Sequence, residues 1–144
     1  MFDEVEDVVR DLPQITAVDR FVGVASTVTV VAAVEIGLAE FDRNQLHGFE
    51  LTREAVEDVF RTLATESMAD RIHNPGLPAD RADVIVGGCC ALVGVMRRLQ
   101  LASLTVSLTN LLDGLAADML ATGGDSTRNE HTTVDAATSN GEAQ

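Results

Sequence analysis

The run RADVIVGGCCALVGVMRRLQ, from Arg81 to Gln100, constrains the fold more than any other part of the chain. It is apolar on nearly every face, through Val84, Ile85, Val86, Cys89, Leu92, Val93 and Met96. A helix of that kind is buried rather than amphipathic. Arg97 and Arg98 suit its C-terminus, where cations meet the negative end of the helix dipole. Gly87, Gly88 and Gly94 each weaken a helix relative to alanine. Their presence predicts that a neighbour packs closely there. A buried helix this long also needs a broad apolar surface to lie on, and the pattern predicts a sheet.

The rest of the chain offers few strands for such a sheet. At 144 residues it makes one domain at most, and a hydrophobic content of 46% is ample for a core. DEVEDVVRDL places Val5, Val8, Val9 and Leu12 at helical spacing before Pro13. FDRNQLHG is polar and turn-like. ELTREAVEDVFRTLATES is the clearest helix, with Thr52 as its cap, Glu54 in its first turn, and one face of Val56, Val59, Phe60 and Leu63. MADRIHNPGLPADRAD, with Pro75-Gly76 and Pro78, reads as a loop after a short helix. ASLTVSL is a short strand and TNLLDGLAADML a closing helix. FVGVASTVTVVAAVE, from Phe21, stays open between two readings: a buried strand by its Val and Thr content, or a strand, a phosphate-holding turn and a helix. The pattern is α/β with two strands. Two strands do not make an independently stable sheet, so it reads as incomplete.

Charge and residue usage exclude several chemistries. The formal net charge is -13, a field that opposes nucleic acid and anionic membranes. All the basic residues are arginine, so there is no lysine nucleophile, Schiff base or P-loop lysine. Cys89 and Cys90 are adjacent, and helical neighbours point about 100° apart. That suits neither an ordinary disulfide nor a CxxC metal site, and predicts small buried residues. His47, His73 and His131, with no spaced carboxylate pair, make no metal site. Glu35 and Glu40 interrupt the longest apolar run, and MFDEVEDVVRD is too acidic for a signal or transit peptide. The expectation is a cytoplasmic protein.

Four stretches carry a resemblance to a known family. VGVASTVTVVAAVEIGLAEFD resembles VGVAGTVTTLAALxLGLxxYD, and LHGFELTREAVEDVFRTLA resembles xHGxxLTxxxVxxLxxxLA. PGLPADRADVIVGGCCALVGVMRRL resembles PGLxPxRADVIxxGAxILxxVMxxL, and LTVSLTNLLDGLAADML resembles a closing LTVSxxGLREG or LTVSxxDILDG. These are patterns of the C-terminal half of the exopolyphosphatase/guanosine-pentaphosphate phosphohydrolase (Ppx/GppA) family, covering about Phe21 to Leu120. The resemblance implies an incomplete ribonuclease-H-like half-domain of the actin-like ATPase superfamily, helix-rich, within residues 1–121. It also implies a strand over Phe21–Ala25, a turn at Ser26 and Thr27, and a helix from Val28. The family's phosphate loops, resembling AIDxGSNSxRL and DIGGGSTE, have no match in this sequence, nor does its catalytic glutamate. The chain is therefore expected to begin partway through the second domain.

The resemblance also points to site residues. Gly23, Ser26 and Thr27 form the turn that lines the nucleotide or phosphate side of the family's cleft, with serine where the family has glycine. The bland alternative is a strand-to-helix turn with Ser26 as N-cap. Ser107, Asp113 and Gly114 match the closing motif, whose loop approaches the cleft from the other side. Asn110 stands where the family has glycine or aspartate, and Leu112 where one branch has arginine. The alternative there is a helix start capped by Asn110. His47 with Gly48 matches the family's HG and is read as structural, as are Arg81 and Asp83 at a helix start. No catalytic residue and no metal ligand is assigned; magnesium is expected only with a complete family cleft.

The expected function is that of a C-terminal piece of a phosphohydrolase for polyphosphate or guanosine pentaphosphate, inactive alone and lending one wall to the cleft. The expected partners are a second copy of the chain or a separately encoded N-terminal half, with a phosphate-rich small molecule or polyphosphate as ligand. The alternatives are a stand-alone interaction or regulatory module, or the product of a decayed gene. Residues 122–144 are polar, nearly without large apolar side chains, and expected to be a disordered tail. Truncation at Thr122 is expected to leave the melting temperature within error, because such a composition does not bury enough surface to offset ordering. A drop of several degrees would count against it.

Overall fold

The structure is a computed structural model that describes residues 2–11 and 20–122. It falls into two units, Met1–Asn110 and Leu111–Gln144. The expected tail lies outside the described residues, apart from Thr122, which ends a helix. In chain order the elements are α1 (Phe2–Arg10), β1 (Val22–Gly23), α2 (Ser26–Ile36), α3 (Arg43–Leu46), β2 (Glu50–Thr52), α4 (Arg53–Thr65), α5 (Met68–Arg71), a 3-10 turn (Ala79–Arg81), α6 (Ile85–Arg98), β3 (Ser103–Val106) and α7 (Leu111–Thr122).

The sheet has three strands in the order β1-β3-β2, one more than the sequence pattern predicts. β1 runs parallel to β3, with Val22 opposite Thr105, and β2 antiparallel, with Leu51 opposite Leu104. The additional strand is the ELT that precedes α4. Leu51 is fully buried while Glu50 and Thr52 face outward, the alternation of a half-buried strand. Ser103 Oγ donates to Glu50 Oε1 across the pair at 2.7 Å. The strand over Phe21–Ala25 is shorter than expected, because the chain turns immediately after Gly23.

The core helix α6 is covered by helices rather than by a sheet. It packs against α4, α1 and α2. Ile85, Cys89, Cys90, Val93 and Met96 are buried, while Val84 is half exposed. Two of its three glycines mark close approaches. A Cβ on Gly88 would lie 2.8 Å from Thr27 Cγ2 on α2, and one on Gly94 would run into Val5 Cγ1 on α1. Gly87 faces open space, so that glycine has no packing reason. On α1, Val9 is buried but Val8 is exposed, so the predicted apolar face is narrower than its spacing; Leu12 lies outside the described residues.

The helix α4 matches its sequence pattern. Thr52 Oγ1 accepts from the Ala55 amide at 3.2 Å, and Val56, Val59 and Leu63 are buried. Its far end is held by one arginine. Arg71 donates from Nε to the Leu63 carbonyl at 2.8 Å and from Nη2 to the Glu66 carbonyl at 3.0 Å. Its Nη1 reaches the Ala82 carbonyl, just before α6, at 2.9 Å. One planar guanidinium thus satisfies carbonyls that a helix end leaves without partners and ties α4 to the start of α6. Hydrogen bonds to a charged group contribute about 1.5–3 kcal/mol each. Because Arg71 is only partly buried, its replacement by alanine is expected to cost about 2–4 kcal/mol in all. Arg71→Lys should recover less than half, since an ammonium cannot span the three directions. Urea unfolding of the two variants measures this, and an alanine variant as stable as the wild type would refute it.

Candidate functional site

Because β1 and β3 are parallel and in register, the segments that leave them emerge at the same end of the sheet. One is the turn from Val24 to Thr27; the other is the loop from Ser107 to Asn110. They are joined directly, since the Ser107 amide donates to the Gly23 carbonyl at 2.8 Å. Ligands of open parallel sheets bind outside the carboxyl ends of the strands, and this end carries four of the residues picked out by sequence.

The turn is held in an unusual backbone state. Ala25 has φ 75° and ψ 171°, a region that is essentially restricted to glycine. Its carbonyl accepts both from the Thr29 amide at 3.3 Å and from Thr29 Oγ1 at 3.1 Å. Ala25, and not Ser26, is therefore the N-cap, and no side chain caps the helix. This rules out the alternative in which Ser26 is the N-cap of a purely structural turn. Ser26 is instead the first helical residue; its φ is not positive, so its Cβ meets no backbone obstacle. No acidic residue occupies the first turn of α2. Among the described residues nothing accepts from the amides of Ser26, Thr27 and Val28. Uncapped amides with no nearby carboxylate are the features that favour an anion at a helix start.

Not every predicted residue faces that opening. A Cβ on Gly23 would meet Leu104 Cδ1 at 2.7 Å and Val28 Cγ1 at 2.8 Å. Gly23 thus lets α2 close on the sheet, which is a packing role. The Thr27 side chain lies over Gly88 of α6. Ser26 is exposed. Ser107 is partly buried; its Oγ accepts from the Thr109 amide at 3.2 Å and sits 2.8 Å from Thr109 Oγ1. Asp113 and Gly114 lie at the start of α7, in the second unit. Arg81 ends the 3-10 turn, and Asp83 follows it before α6 begins. His73 lies in the loop after α5, and His131 lies outside the described residues.

His47 is the residue whose place the sequence did not reveal. It precedes Gly48, whose φ of +88° is open to glycine. The Gly48 amide donates to the Val106 carbonyl at 2.8 Å, while the Val106 amide donates to the Phe49 carbonyl at 2.8 Å. Two residues thus face one, the hydrogen bonding of a glycine bulge. The bulge brings His47 to the loop after β3, where its Nδ1 accepts from the Leu108 amide at 3.1 Å. The HG pair in the sequence was the available signal.

Cys89 and Cys90 are buried and free. Burial, with Cys90 alongside, pushes the Cys89 thiol up to about 11, so it is protonated and inert at neutral pH. Among the described residues no three His, Cys, Asp or Glu side chains gather where they could hold a metal ion.

Relief of the strain at Ala25 is directly measurable. A non-glycine residue in this region costs about 1–3 kcal/mol, while glycine adds unfolded-state entropy worth about 0.5–1 kcal/mol. Ala25→Gly is expected to stabilise the fold by about 0.5–2 kcal/mol, and Ala25→Val to destabilise it. Thermal melts of both variants decide this; a lower melting temperature for the glycine variant would overturn the strain.

Comparison with known proteins agrees with this architecture. A Ppx/GppA phosphatase of Aquifex aeolicus superposes with a TM-score of 0.78 at 24% identity, over 87% of this chain and 40% of that one. An exopolyphosphatase-like protein gives 0.72 at 25% identity, over 81% and 42%. An exopolyphosphatase from Cytophaga hutchinsonii gives 0.64 at 20% identity, over 84% and 39%. The chain thus spans about two fifths of the length of these structures. No curated protein matches it. Together they place a helix-rich α/β chain within the actin-like fold of these enzymes. The model of the Ppx/GppA phosphatase family matches residues 1–122, and the chain belongs to that family.

Proposed function

We propose that this chain supplies one wall of the phosphate cleft of a Ppx/GppA phosphohydrolase, acting on phosphoanhydride bonds of polyphosphate or guanosine pentaphosphate. The observation that carries this reading is the uncapped start of α2, set beside the Ser107–Asn110 loop at the carboxyl end of the β1–β3 pair. Phosphoryl transfer needs donors on the phosphoryl oxygens and a carboxylate or other group to position the nucleophile. The turn offers the first through the Ser26, Thr27 and Val28 amides. The second, and a divalent cation, belong in this reading to the rest of the cleft, and the chain alone is inactive. Its two free, buried thiols suit the reducing cytoplasm, where we place it.

The open edge of β1 supports a partner. The Phe21 and Gly23 carbonyls face β3, accepting from the Thr105 and Ser107 amides. Alternate residues of a strand point their backbone groups to opposite edges, so Val22 and Val24 present theirs on the side that no described strand pairs with. Their side chains are 56% and 48% exposed. Such an edge takes up another strand. We assign it to the part of the cleft that these residues do not supply, or to a second copy of the chain.

The isolated chain, with magnesium and either substrate, is expected to release no phosphate above buffer. Activity that persists through rigorous purification would refute the proposal. Sedimentation at micromolar concentration decides between the two partners: a monomer would leave the edge to the rest of the cleft, and a homodimer would assign it to a second copy.

A further inference from the structure

The loop after β3 is tied down at three successive amides. Ser107 N–H donates to the Gly23 carbonyl of β1 at 2.8 Å, and Thr109 N–H to Ser107 Oγ at 3.2 Å. Between them, Leu108 N–H donates to His47 Nδ1 at 3.1 Å. Of the three, only the middle tie uses a side chain from outside the loop, and it crosses 61 residues of sequence. The bulge at Gly48 makes it feasible. Its hydrogen bonds to Val106 follow directly on the last β2–β3 pair, Glu50 opposite Thr105. The imidazole then stands in for the carbonyl that a longer strand would have supplied.

The contact fixes the chemistry of the ring. An imidazole nitrogen accepts a hydrogen bond only when it carries no proton, so neutral His47 holds its proton on Nε2. His47 is exposed, and no described residue accepts from Nε2. A donor with a set tautomer therefore stands free beside the loop that joins β1 at its carboxyl end.

We infer that His47 is a positioning residue: through Nδ1 it holds the Ser107–Thr109 loop in place, and through Nε2–H it donates to a phosphate oxygen of the ligand. The second role rests on the cleft reading above; the first does not. Removing the ring loosens the loop that carries Ser107, and replacing it can separate the two roles. Asparagine places an acceptor near the Nδ1 position but has nothing at Nε2. Glutamine places its donor near Nε2 and loses the Nδ1 acceptor.

The test uses the full chain, with tripolyphosphate as the probe. A long-range proton–nitrogen spectrum near about pH 8 should show His47 as the Nε2–H tautomer. Exchange of the Leu108 amide should be about tenfold faster in His47→Gln, and near wild type in His47→Asn. Tripolyphosphate should bind His47→Asn about tenfold more weakly than wild type. The opposite tautomer, or equal Leu108 exchange in the two variants, would overturn the positioning role. Equal tripolyphosphate affinity of His47→Asn and wild type would overturn the donor role. If tripolyphosphate moves no signal in any variant while the tautomer and the exchange contrast persist, the cleft reading fails and the positioning role stands.

Discussion

The close approach of α6 to its neighbours at Gly88 and Gly94 sets the rest of the molecule. Protein interiors are packed as densely as organic crystals, so a helix that loses its Cβ at one position admits another element there. Thr27 fills the space over Gly88, and Val5 the space over Gly94. The first contact fixes the height at which α2 begins. Val28, one residue on, then lies against Gly23 of β1. The turn between β1 and α2 is thus clamped from both ends, by the core helix on one side and by the sheet on the other. That double clamp is a physical reason why Ala25 can persist in a backbone state that alanine avoids. The position of the uncapped amides is inherited from the packing of the core and does not depend on a cap of their own.

Electrostatics acts on a shorter scale. A net charge of -13 opposes any polyanion at long range. Exposed charges farther apart than about 8–10 Å are largely screened at physiological salt, so the local arrangement decides. Most of the acidic side chains that can be followed stay on the helical surface, some in ion pairs: Glu57 with Arg97 at 2.8 Å, Asp58 with Arg61 at 2.7 Å, Asp7 with Arg10 at 2.8 Å. The Arg97 hydrogen bond holds the Glu57 carboxyl below its ordinary value. That contribution to stability is present above the unfolded carboxylate range and is lost as pH falls through the lowered value. On so exposed a pair it is small. The first turn of α2 contains no acid, so the helix dipole there acts unopposed within its own turn.

Sequence made some of this legible and hid the rest for identifiable reasons. The helix α4 was plain because Thr52, Glu54 and one apolar face agree with one another. The strand β2 was hidden by the same residues: Thr52 ends the strand and also caps the helix, so the helix signal absorbed it. The helix α2 looks like a strand because Val and Thr dominate it, and Val28, Val30, Val31, Ala32 and Ala33 are all buried. With several faces covered there is no polar stripe to show the helical period, and tertiary packing overrides propensity. The family resemblance, not the periodicity, separated strand, turn and helix. The resemblance points to Gly23 as a cleft residue, yet its space is filled from within, and the alternative cap at Ser26 fails because the turn closes one residue earlier. Neither fact has a local signature, because both depend on where α6 lies.

The two segments at the carboxyl end of the sheet differ in how far their backbone amides are already paired. In the Ser107–Thr109 loop each backbone amide already has an acceptor, from Gly23, His47 and Ser107 itself. In the turn the amides of Ser26, Thr27 and Val28 have none among the described residues. An incoming anion that displaced the loop's bonds would gain little, since each new hydrogen bond would replace an existing one. One that meets the turn replaces only bonds to water, with no protein bond to break. In the proposed cleft the loop would then be a stiff margin and the turn the receiving surface. Stiffness at the margin is itself useful, because donors held in place before the ligand arrives need no reorganisation when charge develops on it. His47 completes the stiff loop, where its Nδ1 accepts from the Leu108 amide; in the proposed cleft its Nε2–H would add a side-chain donor to the backbone donors of the turn.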